Sequence, residues 1–105
     1  MPYALVIIRL MPDPNSNGDY FDVYQNYVIR CKRRDNLVAH LRKSGIEVLI
    51  SWPTPLHKQK ALGLSHFNLP MTDRISAEVV SLPMYPELAD EDAEFVIEAV
   101  KNFFV

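Results

Sequence analysis

Residues 46–57 read IEVLISWPTPLH and contain both a strand and the reason it stops. Ile46, Val48 and Ile50 alternate with Glu47, Leu49 and Ser51, the period-two spacing of a strand with one buried face. The run ends at Trp52-Pro53, and Pro55 follows two residues on. Proline has no N–H to give to a ladder, so a sheet ends here. A strand that runs out into a two-proline loop holds Trp52 and His57 at a sheet edge. Trp52 can stack on a flat ligand or plug a gap in a core, and His57 can hydrogen-bond a polar ligand or a loop carbonyl. The residue types alone leave these alternatives open.

The elements around this loop can be read in chain order. Residues 3–10 are a continuous apolar run broken only by Arg9, which suits a buried strand or the end of a helix. Residues 11–19 (MPDPNSNGD) carry the prolines, asparagines and glycine of an exposed turn or linker. Residues 20–31 (YFDVYQNYVIRC) are rich in β-branched and aromatic side chains and predict a strand with apolar groups on both faces. Residues 35–44 predict a helix, with Asp35 in its first turn, Leu37, Val38 and Leu41 as its buried stripe, and Gly45 as a left-handed stop. His40 falls on the opposite face and reads as a solvated surface histidine. Residues 56–64 suit a short helix or irregular turn. Asn68 reads as the N-cap of a helix that has Pro70 in its first turn and runs, through Met71, Ile75 and Val79, to about Val80. Residues 81–86 are a short extended piece. Asp90-Glu91-Asp92 then opens a last helix with Ala93, Val96, Ile97, Val100 and Phe104 as its stripe. The expected fold class is α+β, a small antiparallel or mixed sheet with helices packed on one face.

Composition removes several functions. A chain of 105 residues with net charge −2 is one domain without the clustered Lys and Arg that nucleic acid demands. The basic run Arg30, Lys32, Arg33 and Arg34 reads as a solvated strand-to-helix junction. Cys31 is the single cysteine, so no internal disulfide forms, and it reads as a buried packing residue rather than a nucleophile. The N-terminal apolar run is too short to span a bilayer and lacks a signal-peptide pattern, so a cytoplasmic protein with no membrane partner is expected. The histidines at 40, 57 and 66 have no metal-binding spacing, the three glycines form no phosphate loop, and no serine sits in a nucleophile elbow. The acids at 90–92 are explained by a helix start.

Four segments together carry a resemblance: VYQNYVIR (23–30), RDNLVAHLRKSGI (34–46), WPTPLH (52–57) and SLPMYPELADEDAEFVIEAVKNFF (81–104). From about Asp19 onward the chain resembles the C-terminal small domain of the DegT/DnrJ/StrS sugar-nucleotide aminotransferases, which have the aspartate-aminotransferase-like fold. The resemblance implies a division into residues 1–18, a strand or helix end with a linker, and 19–105, the small domain. It also implies a dimeric, pyridoxal-phosphate-dependent enzyme that moves an amino group from glutamate to a keto sugar on a nucleotide. In that family the Schiff-base lysine and the cofactor contacts belong to a large N-terminal domain. This chain alone is therefore expected to hold no pyridoxal phosphate and to supply no catalytic residue. Lys58 and Lys60 are read as loop lysines.

The family's loop reads His-Tyr-Pro-x-Pro-Leu-His and contributes to the sugar-nucleotide site. The matching positions are Ser51, Trp52, Pro53, Pro55, Leu56 and His57. Ser51 and Trp52 replace the first histidine and the tyrosine, removing an imidazole and exchanging a phenol for an indole that donates but cannot accept. Ser51, Trp52 and His57 are the expected substrate-binding residues. At the last helix Ala89 stands where a capping Thr or Ser is usual, so Asp90 is expected to take over the cap. The expected partners are a nucleotide sugar, a large aminotransferase domain and a second copy of the chain, through apolar surface at residues 5–8 and Trp52. The alternative is a binding or assembly module that kept the fold without the chemistry.

Overall fold

The computed structural model describes Leu5–Val6, Gly18 and residues 25–105. The expectations for residues 3–4, 7–17 and 19–24 lie outside these, as do the side chains of residues 5–8. Three strands form an antiparallel sheet in sequence order: β1 (Leu5–Val6), β2 (Tyr27–Cys31) and β3 (Val79–Leu82). β2 is central, with Leu5 opposite Cys31 on one side and Ile29 opposite Val80 on the other. Helices α1 (Arg34–Lys43), α2 (Pro70–Glu78) and α3 (Asp90–Phe103) complete the fold. It is the expected α+β class, and its sheet is wholly antiparallel among the described residues.

The core shows why one face of the sheet is covered. Ile29 and Cys31 of β2 and Val80 of β3 join Leu37, Val38 and Leu41 of α1, Ala99 and Val100 of α3, and Ile46 and Val48 in a single buried cluster. Each large aliphatic group sealed there contributes about 1.5–3 kcal/mol. Cys31 is a free, buried packing residue, as expected.

α1 ends as its sequence predicts. Gly45 has φ of +82°, the Gly45 N–H donates to Arg42 O, and the Ile46 N–H donates to Leu41 O. That pair of bonds, with Ile46 and Leu41 both in the core, is a Schellman stop. It delivers Ile46 into the core at the start of the loop segment.

Several boundaries differ from expectation. β2 begins at Tyr27, and Gln25 and Asn26 precede the ladder. Residues 46–51 keep the burial alternation, but only Leu49 pairs, bridging to Ser81. Leu69, not Asn68, occupies the N-cap of α2. α2 ends at Glu78, because Val79 and Val80 are taken by β3, where they pair with Arg30 and Ile29. The tertiary demand for a third strand overrides the helical spacing. Ala89 is the N-cap of α3 and makes no side-chain cap bond, so Asp90 is the first helical residue and does not cap. In α3, Ala99 is buried while Ile97 is exposed, because the seam turns to meet α1.

Two polar expectations are also corrected. The basic run is not a solvated junction: Arg34 is buried, Arg30 pairs with Glu78, and the Arg33 guanidinium lies 4.7 Å from the Phe103 ring centroid. His40 is half-buried rather than solvated, with Nε2 3.0 Å from Ala99 O and its ring tilted against Phe103. Arg34 and His40 share one cause: α1 is clamped between α3 and the α2–β3 junction, so its polar residues find partners at its flanks.

Candidate functional site

The loop is built from short-range hydrogen bonds that its prolines permit. After the Leu49 bridge the chain turns out at Ser51, and Pro53 and Pro55 keep it from rejoining the sheet. Pro55 O accepts from the Lys58 N–H at 2.9 Å, which closes a 3-10 turn at Leu56–Lys58. A second such turn, Lys60–Leu62, ends at Gly63, whose φ of +62° reverses the chain. Gln59 Nε2 donates to Thr54 O at 3.2 Å and ties the two limbs together.

α2 is the platform beneath this loop. Ser76 Oγ donates to Trp52 O at 3.0 Å. Nε2 of His57 stands 2.9 Å from Oδ1 of Asp73, and Nζ of Lys58 stands 3.3 Å from the same oxygen. The His57 and Asp73 atoms are both sealed from water, although the ring is not turned for a well-aligned hydrogen bond. The two atoms are therefore held close together by the packing of the loop on α2.

The three expected binding residues occupy two levels. Ser51 is exposed, and Trp52 is 79% exposed. His57 is 6% exposed and lies against α2. Trp52 borders an open groove of about 830 Å³ whose walls include Thr54, Pro55, Leu56, Ile75 and Val79. The groove is mostly apolar, and an indole at its edge suits a flat ring.

Sequence reasoning did not single out Asp73 or Ser76. Asp73 reads as an ordinary first-turn acid, which a helix N-terminus favours on its own. Its proximity to His57 exists only after the loop folds back on α2, and no spacing signals it.

A Schiff-base lysine needs a desolvated pocket. All five lysines, at 32, 43, 58, 60 and 101, are exposed, so no lysine of this chain fits pyridoxal phosphate in that way. Among the described residues no group of acids, histidines or cysteines has the arrangement of a metal site. No helix among them is long and apolar enough to cross a membrane.

Comparison with known proteins places this geometry in context. The model of the DegT/DnrJ/EryC1/StrS aminotransferase family matches residues 5–101. The match begins upstream of Asp19, where the sequence motifs start, and takes in β1. The chain is 35% identical over 98 residues to a pleiotropic regulatory protein of Geobacillus stearothermophilus, covering 90% of this chain and 26% of that protein. It is 41% identical over 84 residues to the dTDP-3-amino-3,4,6-trideoxy-alpha-D-glucose transaminase of Micromonospora megalomicea, covering 76% and 22% respectively. The X-ray structure of S. venezuelae DesV in complex with a ketimine intermediate superposes with a TM-score of 0.74 at 32% identity, covering 86% of this chain and 25% of DesV. The chain spans 21–26% of the length of the curated relatives it matches.

Proposed function

Because the chain belongs to the DegT/DnrJ/EryC1/StrS aminotransferase family, we propose that it serves as the C-terminal small domain of a sugar-nucleotide aminotransferase. In this reading Ser51, Trp52 and His57 form its share of the nucleotide-sugar site, Ser51 and Trp52 from the exposed surface of the loop and His57 from its buried side. The observation that carries it is the exposed Trp52 indole beside an apolar groove. A nucleotide base is a flat ring that such an indole can stack against. Two prolines hold the loop, so little ordering entropy is lost on binding. The relatives named as dTDP-sugar transaminases support this ligand class.

Residues 19–105 are the unit that carries this role, with residues 1–18 leading into it. The lysine and pyridoxal phosphate of the family reaction belong to the larger part of the relatives' length, and this chain alone transaminates nothing. It works in the cytoplasm beside a large aminotransferase domain and a second copy of itself. The exposure of all five lysines supports the division of labour.

Trp52 is the single tryptophan, so its fluorescence reports on the site without a label. A panel of dTDP- and UDP-sugars is titrated against this chain, alone and together with a large domain from a relative. Saturable quenching is expected for at least one sugar, weakened by roughly 1–2 kcal/mol in His57→Ala. Unchanged emission across the panel in both arms would overturn the reading. A pyridoxal mass fixed by borohydride on the isolated chain would overturn its inactivity.

A further inference from the structure

We propose that Asp73 is a positioning residue for the Trp52 loop, acting through His57. Nothing in the loop motif points to it, since it lies on α2, sixteen positions beyond His57. Three observations meet at this carboxylate. Its Oδ1 faces two nitrogens from consecutive residues of one turn, His57 Nε2 at 2.9 Å and Lys58 Nζ at 3.3 Å. Both Oδ1 and His57 Nε2 are cut off from water, so neither can replace the other with solvent. The turn they hold, Leu56–Lys58, follows directly on the two prolines that fix Trp52.

The physical consequence follows from how the loop is attached. Its described polar ties to α2 are the Ser76–Trp52 hydrogen bond and the contacts of Asp73 with His57 and Lys58. Ser76 holds the start of the loop, and Asp73 holds its middle. Pro53 and Pro55 make the intervening backbone stiff, so a displacement at His57 is passed to Trp52 rather than absorbed. Lys58 is largely exposed and can swing into solvent, whereas His57 is buried and cannot. His57 is therefore the route by which Asp73 acts.

This inference rests on the proposed binding role only for its effect on ligand. The positioning itself is measured without one. Time-resolved anisotropy of Trp52 is recorded for the wild-type chain, Asp73→Asn, His57→Gln, the double variant and Asp73→Glu. Asp73→Asn and His57→Gln are each expected to raise the amplitude of nanosecond indole motion about two-fold or more, and the double variant to match either single change, because one contact is being removed. Asp73→Glu is expected to restore most of the wild-type value. Circular dichroism melting separates this local loosening from loss of fold; a His57→Gln that fails to fold is replaced by His57→Asn, and an Asp73→Asn that fails by Asp73→Ser, in the same cycle. Unchanged Trp52 motion in Asp73→Asn, or additive effects in the double variant, would sink the proposal. A coupled change in anisotropy with no response to any nucleotide sugar leaves the positioning standing and removes the ligand reading; quenching by a sugar with no coupled change does the reverse.

Discussion

Nη1 of Arg34 donates to the carbonyl oxygen of Val79 at 2.8 Å, joining the first residue of α1 to the residue where α2 gives way to β3. The same nitrogen reaches Ser76 O at 3.1 Å, while Nε pairs with Asp35. A cation is thereby fixed at the C-terminal end of α2, where the helix dipole favours it. Replacing Arg34 by Met keeps much of the stem and removes the charge and the donors. A loss of about 1.5–3 kcal/mol is expected, the range for hydrogen bonds to a charged donor. Urea denaturation measures it, and a change under about 0.5 kcal/mol, typical of an uninvolved surface site, would refute the clamp.

Gly45→Ala isolates the cost of a backbone conformation. The position has φ of +82°, and a Cβ built there meets no atom within 4 Å. Only the intrinsic left-handed penalty remains, roughly 1–2 kcal/mol. Thermal melting of the variant should show that loss with no change in the nucleotide-sugar titration.

Ala89→Ser should stabilise the chain. Ala89 sits at the N-cap of α3 with φ of −67° and ψ of 147°, an extended geometry suited to a cap, and makes no side-chain bond. A serine hydroxyl can accept from a first-turn N–H and gain about 0.5–2 kcal/mol. A melting temperature that fails to rise would show that the first turn is already satisfied by water.

Trp52→Ala should cost little in stability. Trp52 is 79% exposed, and exposed sites away from special features stay within about 0.5 kcal/mol. A core plug would instead cost roughly 3–5 kcal/mol. Equilibrium unfolding followed by circular dichroism decides between the two, and wild-type emission should be that of a water-exposed indole, readily quenched by acrylamide.

What the sequence disclosed, and what it withheld, follows the range of the interaction. Leu37, Val38, Leu41 and Gly45 were legible because a helical stripe and its stop depend on neighbours a few residues away. The alternation at Ile46 and Val48, and the break at Pro53, were legible for the same reason. Val79 and Val80 were not, since Ile75 and Val79 keep a helical spacing and only pairing with β2 turns the backbone extended. The burial of Arg34 was not legible, because the two carbonyl acceptors that draw it in lie forty or more positions away. In the candidate site, the proline that ends the strand favoured an exposed Trp52, but the residue types alone left a core plug equally open, and the structure gives the exposure. The burial of His57 was not legible either, because it lies against α2, where its neighbour Asp73 is sixteen positions away.

The lone bridge between Leu49 and Ser81 has a consequence for how copies of this chain can meet. Leu49 exchanges two backbone hydrogen bonds with Ser81, at 3.1 and 2.8 Å, on the side of β3 away from β2. A free strand edge is a template on which another molecule can continue a sheet. Here that margin is occupied at its middle by the chain itself, and the segment that occupies it soon turns away into prolines that cannot extend a ladder. Growth of a shared sheet across this margin is blocked from within: the backbone groups that a second molecule would have to pair with are already spent on the chain's own Leu49.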